Sequence, residues 1–174
     1  AIVAAERPVY IPLSFSQERL WFIDRLEGSS QYHLPSVLRL KGSLNSEALQ
    51  NTLQTIINRH EVLRTVILEQ DGQGYQHILP ADSWTLGITE ALADIVATEA
   101  LSAYIAKLVN RPFDLSADYM LRADLIKIDQ DEHMLVLTMH HIATDGWSVS
   151  IIVKEVIALY EGYAGNVQTN LPAL

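Results

Sequence analysis

Two adjacent histidines stand three residues ahead of an Asp-Gly pair in Met139-His140-His141-Ile142-Ala143-Thr144-Asp145-Gly146-Trp147-Ser148. An imidazole titrating near neutrality can take a proton from an attacking amine or hydroxyl. The apolar run 134–139 before the pair predicts a strand, and the helix-periodic segment from Ser148 predicts a helix after it. Adjacent strand side chains face opposite ways, so one histidine can meet a cleft while the other is held inside. We assign the cleft to His141, nearer the loop; structural or surface placement is the ordinary alternative for such a pair. Helix starts offer unpaired N–H groups, and Gly146 would let that backbone approach a reacting group closely. Asp145 could be a second acid or base. Beside a glycine in a tight loop it reads instead as a structural anion, capping the helix or pairing with a buried arginine. Zinc is disfavoured, because the imidazoles diverge, only Asp145 is near as a third ligand, and the chain has no cysteine.

The elements that must position this loop follow from periodicity. Helices are expected over 14–26, 44–60 (capped by Asn45 or Ser46), 91–110 and 148–163. Strands are expected over 9–11, 33–40 and 84–88, with hairpins joining 63–69 to 75–79 and 120–128 to 133–140. Helices interleaved with hairpins predict an α/β fold: a mixed β-sheet covered by helices.

With 174 residues, 49% of them apolar, the chain is one domain able to bury a core. A net charge of −9 argues against nucleic acid. The sequence has no 18-residue apolar run and no signal-peptide pattern, so no membrane partner and a soluble, cytoplasmic location are expected. The lack of cysteine excludes disulfides and thiol nucleophiles.

Two further stretches carry local chemistry. Arg59-His60-Glu61-Val62-Leu63-Arg64-Thr65 reads either as a solvated helix end or as a strand start that points Arg64 inward against a buried carboxylate. Ser14-Phe15-Ser16-Gln17-Glu18-Arg19-Leu20-Trp21-Phe22 is a helix start whose aromatics are explained by packing.

Together and in this order, the three stretches (14–23, 59–67 and 139–148) resemble the first core motifs of condensation domains from nonribosomal peptide synthetases. The segment Arg111-Pro112-Phe113-Asp114-Leu115 followed by Leu121-Arg122 strengthens the likeness. The resemblance implies one lobe of a chloramphenicol acetyltransferase-like two-lobed fold, with residues 1–174 as the N-terminal lobe and the C-terminal lobe absent. It implies amide formation between a donor acyl thioester and an acceptor amine, both presented by carrier proteins on phosphopantetheine arms, with no directly bound cofactor and no metal. His141 is then catalytic, as base or positioning group. His140 and Asp145 are structural, Asp145 pairing with Arg64, and the Gly146 backbone supports the tetrahedral intermediate. Trp147 and Ser148 are candidates for the substrate tunnel. Ser16 and Ile67 depart mildly from the family pattern, and Asp-Gly-Trp-Ser favours condensation over cyclisation or epimerisation. Alone, the lobe is expected to be inactive. A module that docks carrier or neighbouring synthetase domains, and a coenzyme A-dependent acyltransferase completed by oligomerisation, are the competing readings.

Overall fold

The computed structural model describes residues 6–90, 98–165, 167, 169 and 171–172. Two antiparallel strands seed the architecture: β2 (His33–Lys41) pairs with β7 (Glu132–His140) over nine consecutive positions. β6 (Leu121–Asp129) pairs antiparallel with β7 on its other side, and β5 (Gly87–Glu90) adds to β6 in parallel. The resulting sheet has the order β2-β7-β6-β5. A parallel neighbour needs a crossover, and α3 (Thr98–Asn110) lies in the connection from β5 to β6.

Both faces of this sheet are covered, so β7 reads as an almost continuous buried run. Leu135, Leu137 and Met139 pack on one face against α2 (Ser46–Arg59) and α4 (Gly146–Gly165). The main contributors there are Leu53, Ile56 and Ile57 of α2 and Ile152, Val156 and Leu159 of α4. Val136 faces the opposite side, with Ile126 and Leu108 of α3. Asn45 caps α2, its side chain accepting from the Ala48 N–H at 3.0 Å.

A second sheet, β1-β4-β3, joins β1 (Ile11–Pro12), β3 (Thr65–Gln70) and β4 (Gln73–Ile78). Its hairpin turns at Asp71-Gly72, both with positive φ (52° and 79°), the conformation that matches strand twist. Helix α1 (Phe15–Glu27) packs beside this sheet. Its start is closed by a capping box between Ser14 and Gln17, and Gln17 Nε2 donates to Gln76 Oε1 at 3.2 Å. Trp21 lies so near Gly74 that an added Cβ would stand 3.1 Å from the indole and 2.8 Å from Leu13.

The expected mixed sheet covered by helices is present, and the small antiparallel sheet stands beside it. Some boundaries moved. Residues 84–86 are not a strand: Gln50 of α2 binds the Trp84 carbonyl and the Leu86 N–H, while Trp84 Nε1 donates to the Leu121 carbonyl at 3.0 Å. The strand starts only beyond these side-chain anchors. Residues 61–64 form a 3-10 turn, so β3 begins at Thr65 rather than at residue 63. Residues 91–97 of the expected third helix lie outside the described residues.

Glu155 joins α4 to the end of α2. Its carboxylate lies 2.7 Å from His60 Nε2 and 3.3 Å from Arg59 Nε, and Arg59 also donates to the Pro172 carbonyl. Glu155 is buried, so deleting its carboxylate strands polar partners in a dry setting. Glu155→Ala should lower stability by roughly 2–4 kcal/mol in urea unfolding, and Glu155→Gln by less; equal stability of both variants and the parent would contradict this brace.

Candidate active site

Strand β7 ends at His140, paired with His33 of β2, and the backbone N–H of His141 continues that edge by donating to the Tyr32 carbonyl at 2.9 Å. The Ala143 N–H turns back onto the His140 carbonyl at 3.0 Å. Side-chain alternation then separates the two histidines. His140 is 0% exposed, and His141 is exposed in a cavity of about 540 Å³. Around His141 the wall is built by Ser16, Arg19 and Leu20 of α1, Tyr32, and Thr144, Asp145 and Ser148 at the start of α4.

His140 is held on both ring nitrogens. Nδ1 accepts from the Ile142 N–H at 3.1 Å, and Nε2 lies 2.9 Å from Ser29 Oγ. Its ring lies edge-on to Phe113 and to His33, whose Nδ1 bonds the Val109 carbonyl at 2.7 Å. Burial above all, with His33, His141 and Arg122 adding to it, pushes the His140 pKa down to about 4. Arg122 stacks 3.8 Å over Phe113 and donates to the carbonyls of Pro112 and Arg111. His140 is therefore a neutral anchor at physiological pH.

Asp145 acts at the helix start. Ser148 donates to its Oδ1 twice, from the backbone at 2.8 Å and from the hydroxyl at 2.7 Å, and these bonds hold the carboxyl below the usual carboxylate range. The expected pair with Arg64 is not formed. Arg64 lies in the turn before β3, donates from Nη1 to the Leu79 carbonyl at 2.6 Å, and reaches Glu61 Oε1 at 3.5 Å with Nη2. The unpaired amides at the start of a 20-residue helix serve Asp145 in place of a guanidinium. Trp147 is 79% exposed and outside the cavity lining, whereas Ser148 is within it. Gly146 opens α4 in the exposed loop, where an added Cβ would meet nothing within 4 Å. Among the described residues, no cluster of three or more His, Cys, Asp or Glu could hold a metal ion.

Sequence reasoning passed over Ser29, Asp24, Tyr32 and Arg19. Ser29 precedes and Tyr32 ends a 3-10 turn with no apolar period, although the helix that carries Arg19 was legible from its apolar spacing.

The chain matches the condensation-domain family over residues 9–174. It belongs to that family. It is 44% identical over 169 residues to malpibaldin synthetase of Mortierella alpina, a match covering 94% of this chain and 3% of that protein. To the dimodular nonribosomal peptide synthase of Bacillus subtilis it is 43% identical, over 92% of this chain and 7% of the relative. The chain thus spans a small part of the length of these curated relatives. Among solved structures, the X-domain of teicoplanin biosynthesis in complex with OxyB is 31% identical, with a TM-score of 0.86 over 98% of this chain and 36% of that one. The starter condensation domain of the rhizomide synthetase, at 20% identity and a TM-score of 0.83, shares the fold over 94% of this chain and 41% of its own. The architecture of this condensation-domain chain is that of the chloramphenicol acetyltransferase-like fold. No helix among the described residues is long and apolar enough to cross a membrane.

A folded His140 with a pKa lowered to about 4 binds fewer protons than the same histidine unfolded, near 6.5. Its contribution is complete above the unfolded value and is lost as pH falls from 6.5 towards 4, on the order of 3 kcal/mol. Melting temperature should fall across that window, and fall less steeply in His140→Gln. Parallel curves would contradict a neutral, buried His140.

Proposed function

We propose that the chain supplies the histidine-bearing N-terminal lobe of a condensation domain that joins a carrier-bound acyl or peptidyl thioester to a carrier-bound aminoacyl acceptor. One observation carries this reading: of the two motif histidines, His141 alone lines the cavity, while His140 is buried behind it. Family membership and the nonribosomal peptide synthetases among the relatives support the substrate class.

In the proposed step the acceptor amine nitrogen attacks the thioester carbonyl carbon, forming the C–N bond. Collapse of the tetrahedral adduct breaks the C–S bond. The proton lost by nitrogen passes through the His141 imidazole to the departing thiolate, so no metal or oxidant enters the balance. The start of α4 supplies the dipole's positive end near the developing oxyanion, and the bare Gly146 backbone leaves room for close approach. Asp145 keeps that end of the helix fixed through Ser148. Both pantetheine-bearing carrier proteins are partners and sources of substrate in this reading, and a second lobe closes the cavity into a tunnel.

A docking role is the second reading, favoured by the 31% identical X-domain that was solved together with OxyB. Titrating carrier proteins with and without a complementary lobe separates the two. In a complete condensation domain containing this chain, His141→Ala should reduce amide formation from loaded donor and acceptor carriers by about 10²–10⁴-fold. Equal rates in parent and variant would remove His141 from the chemistry.

A further inference from the structure

We infer that Asp24 and Ser29 are positioning residues for His141, acting through His140; this inference rests on the amide-forming reading. A backbone N–H can only donate, so the 3.1 Å bond from Ile142 makes His140 Nδ1 an acceptor. A neutral His140 then carries its proton on Nε2 and donates it to Ser29 Oγ at 2.9 Å. Ser29, 4% exposed, accepts that proton and gives its own hydroxyl hydrogen to Asp24 Oδ1 at 2.5 Å. Every direction in this chain is set by the chemistry of its members.

The ends of the chain give it a purpose. At one end is a carboxylate on the last turns of α1, the helix that supplies Ser16, Arg19 and Leu20 to the cavity. At the other is the amide immediately after His141. The turn bearing His141 is thereby tied to the opposite cavity wall by three successive hydrogen bonds, the central one buried and the outer two partly buried. Retautomerising His140 would set a ring N–H against the Ile142 N–H and turn the Ser29 hydroxyl away from Asp24. Turning the ring over would put carbon where each nitrogen bonds, so either change breaks the chain. Linked hydrogen bonds strengthen one another and fix geometry, and small displacements of a reacting group are costly in rate.

The test uses a complete condensation domain labelled with 15N-histidine, read by long-range 1H–15N spectra together with amide-forming kinetics. His140 should be the neutral Nε2–H tautomer from pH 5 to 8. Ser29→Ala should mix the tautomers and lower kcat about tenfold, with KM for both carriers changed less than about twofold. Asp24→Leu, at a partly exposed position, should act in the same direction, whereas Asp24→Asn, which keeps an acceptor oxygen, should restore most of kcat. An Nδ1–H tautomer in the parent overturns the inference. Lower melting temperatures with an unchanged tautomer and unchanged kcat also overturn it, because that is the signature of packing alone. The tautomer is read without turnover, so an Nδ1–H result overturns the inference separately from the functional reading, which His141→Ala tests.

Discussion

Nine consecutive cross-strand pairs, from His33 opposite His140 to Lys41 opposite Glu132, fix β7 against β2. Side chains alternate with a period of two, so a one-residue slip would carry His140 towards the cavity and drive His141 into the core. Such a slip would also pull Leu135, Leu137 and Met139, which are buried to 1% or less, out of their packing against both long helices. At about 1.5–3 kcal/mol for each buried apolar side chain, the register is strongly determined. The placement of the two imidazoles is therefore a consequence of core packing along the whole strand, and chemistry at its tip inherits that precision.

The surroundings convert this placement into two different chemical environments. Phe113, His33 and the stacked Arg122 desolvate the His140 pocket and disfavour a second positive charge there. His141, one residue on, stands where polar side chains of α1 and α4 converge around open space. The start of α4 is fixed from its own end by Asp145, and its body is braced to α2 by Glu155. Local capping and a distant ion pair thus act on the same helix.

Much of this was legible because the signals were periodic. The apolar run before His140 marked β7, Asn45 and the repeat after it marked α2, and strand alternation separated the histidines. The partners of Arg64 were not legible. Whether a guanidinium meets a distant carboxylate depends on competition from nearby acceptors, and here Glu61 and the Leu79 carbonyl won. The Asp24–Ser29 chain was equally hidden, since a serine in a short turn carries no pattern that announces a partner 111 residues away. Residues 84–86 misread as a strand for a related reason: Gln50, on another element, captured their backbone.

The central claim is that the fold gives one histidine to the core and the other to the cavity. Diethylpyrocarbonate modification of the folded domain, read by mass spectrometry at single-residue resolution near neutral pH, tests it directly. The account predicts rapid labelling of His141, with His140 protected until the protein unfolds. Comparable labelling of both, or faster labelling of His140, would contradict it.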